Sequence, residues 1–327
     1  MKSEFEFIDT LRVLAGSVSR PSDLIAGIGD DTAILSTTRE RELLITTDLL
    51  NEGIHFDLNY TTPTLLGHKA LAVNLSDIAA MGGRASYFLL SLARPVHISD
   101  QFLEEMIAGM LALAKSQDIL LIGGDTSRSP DRLFINITAI GECPAGNSIR
   151  RNGAQAGDLI FVSGSLGAAA RGLELLRSGR RLNDTLEIAD LAAIRAQLAP
   201  QPRVALGAVL GARQLANAMI DISDGLSSDL SHICQESGVG AEIEATAIPI
   251  AEGASLAQAL NGGEDYELLF TVNPARSAEI DQLRRELPDI ELNHIGVITS
   301  ERERWLIEDK QKRALIAQGY DHFASQR

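Results

Sequence analysis

Residues 42–83 read ELLITTDLLNEGIHFDLNYTTPTLLGHKALAVNLSDIAAMGG, and the fold class follows from how this stretch changes period. Glu42 to Thr47 is a short apolar run, which reads as a buried strand ending at Asp48. Thr64 to Met81 reads as a helix. Pro63 stands at its start, Ala and Leu fill it, and Gly82-Gly83 stops it. Leu71, Leu75 and Ile78 share one face, and Asp77 falls near the C-terminal end. A strand and a helix that each carry an acid predict an α/β chain with a ligand site at the strand ends.

The same theme recurs along the chain. Gly29-Asp30-Asp31, Thr46-Thr47-Asp48, Ser76-Asp77, Gly123-Gly124-Asp125-Thr126, Asp221-Ile222-Ser223-Asp224-Gly225 and Gly262-Gly263-Glu264-Asp265 are short acidic motifs, most of them beside glycine. Any one of them alone reads as a turn or a helix cap, because Asp hydrogen-bonds its own backbone. Several follow predicted buried strands, so the set reads as convergent. Two carboxylates about 4 Å apart repel by about 4 kcal/mol at the effective dielectric of a protein surface. A fold that gathers them needs a cation, and an oxygen-only donor set suits Mg²⁺ bound together with substrate phosphates.

Outward from the decisive stretch, strands are expected at Ser86 to Leu92, Ile119 to Ile122 and Leu133 to Ile140, with a helix from the N-cap Ser99 to Lys115. The buried strand Ile119 to Ile122 leads directly into Gly123-Gly124-Asp125. Gly146 to Gly157 is polar and Gly-rich and reads as an exposed linker. It divides the chain into two mixed αβ domains, residues 1–145 and 146–327. In the second, strands are expected at Leu159 to Val162, Ala218 to Ile222, Ala241 to Ile243, Tyr266 to Val272, Ile290 to Val297 and Arg304 to Ile307. Helices are expected at Ala168 to Leu176, Arg203 to Leu215, Gly225 to Glu236 and Ala275 to Glu286.

The chain has 327 residues, 45% of them apolar, which is enough for a large core. A net charge of −15, 4% aromatic residues and no basic block argue against nucleic acid or an anionic membrane as partner. The N-terminus lacks signal-peptide character and no apolar run reaches a membrane span, so a cytoplasmic protein is expected. Cys143 and Cys234 read as reduced core thiols, and Trp305 as a core residue.

Two common phosphate-binding designs fail. Gly67-His68-Lys69-Ala70 lacks the first glycine and the hydroxyl of a Walker A loop. Gly27-Ile28-Gly29-Asp30-Asp31-Thr32 lacks the last glycine of a dinucleotide fingerprint, and its aspartates would repel a pyrophosphate. Phosphates would then be held through metal ions and glycine backbone, with Gly123-Gly124 allowing close approach. Arg151 reads either as a solvated charge or as a phosphate clamp. His55 is either surface or part of the site just past Asp48. Tyr320 either packs the tail or offers a flat face to an aromatic or cationic ligand.

The run His68-Lys69-Ala70-Leu71-Ala72-Val73-Asn74-Leu75-Ser76-Asp77-Ile78-Ala79-Ala80-Met81-Gly82 resembles the helix of the aminoimidazole ribonucleotide synthetase superfamily of ATP-binding proteins. Gly29-Asp30-Asp31, Thr46-Thr47-Asp48, Asp221-Ile222-Ser223-Asp224-Gly225, Gly262-Gly263-Glu264-Asp265-Tyr266-Glu267-Leu268 and the ending Gly319-Tyr320-Asp321-His322-Phe323 make the chain similar to the thiamine-monophosphate kinase family. The resemblance spans about Phe5 to Phe323. It implies ATP-dependent, in-line phosphorylation of thiamine monophosphate with several Mg²⁺ ions. It also implies a homodimer that pairs its N-terminal sheets, while the C-terminal sheet is flanked by helices.

By matching motif, the resemblance makes Asp30, Thr46, Thr47, Asp48, Asp77, Asp125, Asp221 and Asp224 metal ligands. It puts Gly124, Asp125, Arg151 and Ser223 on ATP, and His55, Glu264 and Tyr320 on the thiamine side. No dedicated base is implied, since the acceptor is already a phosphate oxygen. The chain departs from the family in a short segment from Ile250 to Asn261 and in Lys115-Ser116-Gln117, which has no aromatic residue. Selenophosphate synthetase would need a reactive Cys or selenocysteine with a Lys near the N-terminus. The hydrogenase-maturation relative would end in Cys. A non-catalytic Mg–nucleotide sensor is the alternative from another class.

Overall fold

The computed structural model describes residues 24–26, 30–37 and 40–320. Phe5, Gly29 of the Gly-Asp-Asp motif and the terminal Asp321-His322-Phe323 lie outside the described residues. Strands β1 (Leu24–Ala26), β2 (Ala33–Ser36), β3 (Arg41–Asn51), β4 (Arg84–Arg94), β5 (Leu120–Arg128) and β6 (Phe134–Pro144) form one sheet in the order β1-β2-β3-β6-β4-β5. Only β4 and β5 pair in parallel. The helix α1 (Pro63–Ala80) runs between β3 and β4 and is capped by the Thr62 hydroxyl on the Leu65 N–H. The helix α2 (Asp100–Ser116) makes the crossover that the parallel pair requires, and Ser99 caps it as expected.

Two strands differ from expectation. β3 does not end at Asp48. It continues to Asn51 because β6 offers a ladder through Leu50↔Ile135 and Asn51↔Phe134, so Thr46-Thr47-Asp48 sits within a strand. β5 is not buried: Leu120 is 61% and Ile122 50% exposed at the sheet edge. Its ladder on β4 also continues through Gly123-Gly124-Asp125 to Arg128, so this motif lies in an edge strand and not in a loop. A Cβ at Gly124 would stand 1.8 Å from the Leu90 carbonyl oxygen, which makes glycine obligatory in that ladder.

The second sheet holds β7 (Leu159–Ser163), β8 (Ala218–Asp221), β9 (Gly240–Glu244), β10 (Leu268–Val272), β11 (Leu292–Thr299), β12 (Arg304–Glu308) and β13 (Gln311–Ala314), in the order β13-β12-β9-β11-β7-β10-β8. Only β9 and β12 are parallel. Among the described residues six helices accompany it: α3 (Ala168–Arg177), α4 (Ile188–Leu198), α5 (Val204–Ala212), α6 (Leu226–Ser237), α7 (Leu256–Asn261) and α8 (Ser277–Glu286). Helix α7, in the short segment before Gly262, starts at a capping box between Ser255 and Gln258. Cys143 and Cys234 are buried free thiols. Trp305 is only half-buried, on β12 near the sheet edge.

Helix α1 joins the two halves. It does not present a single apolar face: Lys69, Asn74 and Ser76 are buried along with its leucines and alanines. The reason is close packing of the second half. A Cβ at Gly207 of α5 would lie 2.2 Å from the Ala79 carbonyl oxygen, and one at Gly211 2.2 Å from that of Gly82. The segment 146–157 is likewise not a free linker. Ile149 and Ala154 are buried, the Ile149 N–H donates to the Met81 carbonyl (3.1 Å), and the Met219 N–H donates to the Arg150 carbonyl (3.2 Å).

Candidate active site

A cleft of about 100 Å³ opens where β3, α1, the end of β8 and the loop before β10 meet, and Asp48, His55, Lys69, Asp77, Asp221, Ser223 and Glu264 line it. Each element delivers its residues for a simple reason. Strand alternation turns Thr46 and Asp48 toward α1 and Thr47 away from it. On α1, Lys69, Val73 and Asp77 recur every four residues and form one stripe along the cleft. β8 ends at Asp221, paired with Leu268, and the chain turns through Ser223-Asp224-Gly225, where Gly225 has φ +116°, into α6.

Helix α1 orients the acids. The Asp77 carboxylate accepts the Thr46 hydroxyl at 2.5 Å, Asp221 accepts the Ser76 hydroxyl at 2.5 Å, and the Asp48 N–H donates to the Asn74 side chain at 3.2 Å. Carboxylate oxygens of Asp31, Asp77 and Asp221 lie within 4.8 Å of one another. Burial, then repulsion from Asp31, pushes Asp48 up to about 6 and Asp221 up to about 8. Burial, then Asp48 and Asp221, raises Asp77 well above the usual carboxylate range. This polypeptide therefore gathers acids that resist ionising together. The donors are all oxygen, as a hard divalent cation requires, so the residues fit such an ion.

The flanking residues brace this cluster. The Arg151 guanidinium grips both oxygens of Asp31, at 2.7 and 3.2 Å, and the Arg151 N–H donates to Asp30 at 3.0 Å. Arg151 is thus not a solvated charge: its side chain is only 20% exposed. Burial is the main cause of the raised Asp30 carboxyl. Asp224 forms a second group with Asp229 and His232. Asp229, 1% exposed, accepts the N–H groups of Asp224 (3.3 Å) and Gly225 (3.0 Å), which fixes the turn.

Of the three residues expected on the thiamine side, His55 and Glu264 line the same cleft. The His55 Nδ1 accepts the Asn51 N–H at 3.0 Å, so a neutral ring carries its proton on Nε2. Glu264 has φ +69°, and its N–H donates to the Ser223 carbonyl at 2.7 Å. A Cβ at Gly263 would lie 2.4 Å from that same oxygen, so the glycine lets the loop close onto the turn. The Tyr320 N–H donates to the Asp224 carbonyl at 3.3 Å and brings the tail to the turn.

Three expected residues lie elsewhere. The Thr47 hydroxyl faces the opposite side of the sheet, where it donates to the Ile137 carbonyl and meets Thr138, both at 3.1 Å. Only its main chain remains near the acids. Gly124 and Asp125 stand level with Asp48, through Asp48↔Ile137, Leu90↔Ile137 and Leu90↔Gly124, but three strands away. At about 4.8 Å per strand that is roughly 14 Å. Sequence reasoning missed Asp31 as a cluster member, Asn74 and Ser76 as orienters, and Asp229 as the turn brace. All but Asp229 adjoin or lie inside a motif already singled out.

Residues 29–143 match the family model "AIR synthase related protein, N-terminal domain", and residues 155–306 match its C-terminal domain. The chain is 38% identical over 312 residues to the thiamine-monophosphate kinase of Salmonella typhimurium, covering 93% of each. It is similar to the solved structure "AaThiL complexed with AMPPCP and TMP", with a TM-score of 0.84, 33% identity and 98% and 97% of the two chains covered. The crystal structure of thiamine-monophosphate kinase from Stenotrophomonas maltophilia gives a TM-score of 0.78 at 39% identity, covering 95% and 99%. The chain, with its acid-lined cleft, belongs to the thiamine-monophosphate kinase family of AIR synthase related proteins.

Proposed function

We propose that this chain phosphorylates thiamine monophosphate with ATP, giving thiamine diphosphate and ADP by direct in-line transfer. The observation that carries the reading is the trio of Asp31, Asp77 and Asp221, the first two half-buried and the last buried, beside Asp48 in a cleft that also holds Ser223, His55 and Glu264. The relatives' shared activity supplies the substrates. An oxygen of the acceptor phosphate attacks the γ-phosphorus, and the bond to the β–γ bridging oxygen breaks to release ADP. The nucleophile is already anionic, so positioning and charge neutralisation are the main requirements.

Asp30, Asp48, Asp77, Asp221 and Asp224, with the Thr46 hydroxyl and the Thr47 main chain, would hold several Mg²⁺ ions. Bound there, the ions would neutralise charge on two anionic reactants. Ser223 and Arg151 are assigned to the nucleotide, and His55, Glu264 and Tyr320 to the thiamine side. The domain boundary is placed between residues 145 and 146. ADP release is expected only when thiamine monophosphate and a hard divalent cation are both present. ADP formed at the same rate without the thiamine substrate, or in EDTA, overturns the reading.

A homodimer belongs to the same proposal. The face of the first sheet turned away from α1 exposes Leu49 (51%), Tyr87 (47%) and Leu120 (61%), an apolar surface that a second copy would cover. Gly124 and Asp125 are too far from their own cleft to join it, so we assign them to the site of the second copy. Mixed and re-formed Asp125→Asn and Asp221→Asn subunits should then regain part of the activity that each lacks alone, because some pairs hold one intact site. Mixtures as inactive as their parents remove Asp125 from the partner's site.

A further inference from the structure

Lys69 is a buried cation in the lining of the cleft to which the phosphoryl-transfer reading gives no task. It is 3% exposed on α1, two turns ahead of Asp77 and about 12 Å from it along the helix axis. Its partners Glu264 and His55 lie in the loops that flank the cleft and not in the acid trio. There it pairs with Glu264 Oε1 at 2.6 Å and donates to the His55 carbonyl at 3.2 Å. Gln197 of α4 holds the second oxygen: its Nε2 donates to Glu264 Oε2, also at 2.6 Å. The amide cannot flip without setting two acceptors against each other, so Glu264 fixes its orientation.

We propose that Lys69, with Gln197, is a positioning residue that sets the Glu264 carboxylate for the thiamine side of the substrate. The inference rests on the assignment of Glu264 to that substrate. A carboxylate on a left-handed residue, held by one oxygen from α1 and by the other from α4, has little rotational freedom. Lys69 also ties the His55 loop of the first half to the Gly262-Gly263-Glu264 loop of the second. One ammonium therefore bridges the backbone of His55 and the carboxylate of Glu264. A buried ammonium is tolerated only with such partners, and Glu264 and the His55 carbonyl supply them.

Steady-state kinetics on Lys69→Met, Glu264→Gln and the double variant test it. Lys69→Met should raise the KM for thiamine monophosphate roughly tenfold, as misplacement of a binding group does, with the KM for ATP and kcat little changed. In the Glu264→Gln background the same change should add nothing, since Lys69 acts through Glu264. An equal rise in that background means that Lys69 touches substrate directly and overturns the inference. So does a rise in both KM values together with a lower Tm, which is a structural role, or no effect of Lys69→Met at all. If Glu264→Gln itself leaves the KM unchanged, the assignment of Glu264 falls and takes the inference with it. Should Lys69→Met fail to fold, Gln197→Leu carries the same test from the opposite oxygen, with a rise of about threefold expected in the wild-type background only.

Discussion

Asp221→Asn should lower kcat by roughly a thousandfold, the scale on which removing one preorganised charge-stabilising group acts, while the metal-free protein becomes more stable. The two effects have one cause. Asp221 is 2% exposed at the end of β8 and shares its surroundings with Asp31 and Asp77. Its carboxyl is raised from 3.8 to about 8, first by burial and then by Asp31. Between about pH 4 and 8 the folded protein thus keeps a proton that the unfolded chain has released, and metal-free stability falls as pH rises through that window. Asparagine has no proton to lose and can still accept the Ser76 hydroxyl. The gain in Tm should be absent near pH 4 and reach a few degrees at pH 8. Mg²⁺ should raise the Tm of the wild type at pH 8 and that of the variant much less. A variant that melts lower than the wild type in EDTA at pH 8 would show that Asp221 holds the fold and not a cation.

The acids were legible in the sequence because each ends or interrupts an apolar run. Asp48, Asp77 and Asp221 meet in space because β3, α1 and β8 are neighbours. The path of the chain through Asp48 was not legible. An apolar run shows where a strand is buried but not where its partner stops, and β6 extends β3 by three residues beyond Asp48. β5 illustrates the opposite error. Leu120, Leu121 and Ile122 look like a core strand, yet they lie on the edge strand with Leu120 and Ile122 exposed, because an apolar run does not show whether another element covers it. Thr46 and Thr47 are adjacent and chemically identical, and only the pleat separates the one that meets Asp77 from the one that meets Thr138. The pairing of Lys69 with Glu264, 195 positions apart in sequence, depends on the packing of α1 against the second half, which no local pattern encodes.

Tyr320→Ala should raise the KM for thiamine monophosphate by about ten- to thirty-fold and leave the KM for ATP nearly unchanged. Thiamine carries an aromatic pyrimidine and a cationic thiazolium, and a tyrosine face on a desolvated cation is worth up to about 2 kcal/mol, or roughly thirty-fold in affinity. The structure separates this effect from a packing role. The tail is docked by its main chain: the N–H groups of Gln318 and Gly319 donate to the Ser227 and Ser228 hydroxyls at 3.3 and 3.0 Å, and that of Tyr320 to the Asp224 carbonyl. Alanine keeps all three bonds. Gly319 sits so close to Ser228 and Asp224 that a Cβ there would be 2.4 and 2.5 Å from their oxygens, which holds the tail against the turn whatever residue follows. Tyr320 itself is 45% exposed and is not part of the buried core. Its Tm should therefore stay within about a degree or two of the wild type. Tyr320→Phe should be mild in both measurements, because the ring face carries the contact and the hydroxyl does not. Equal KM changes for both substrates, or a clear fall in Tm, would return Tyr320 to a packing role at the edge of the Asp224 turn and remove it from the substrate pocket.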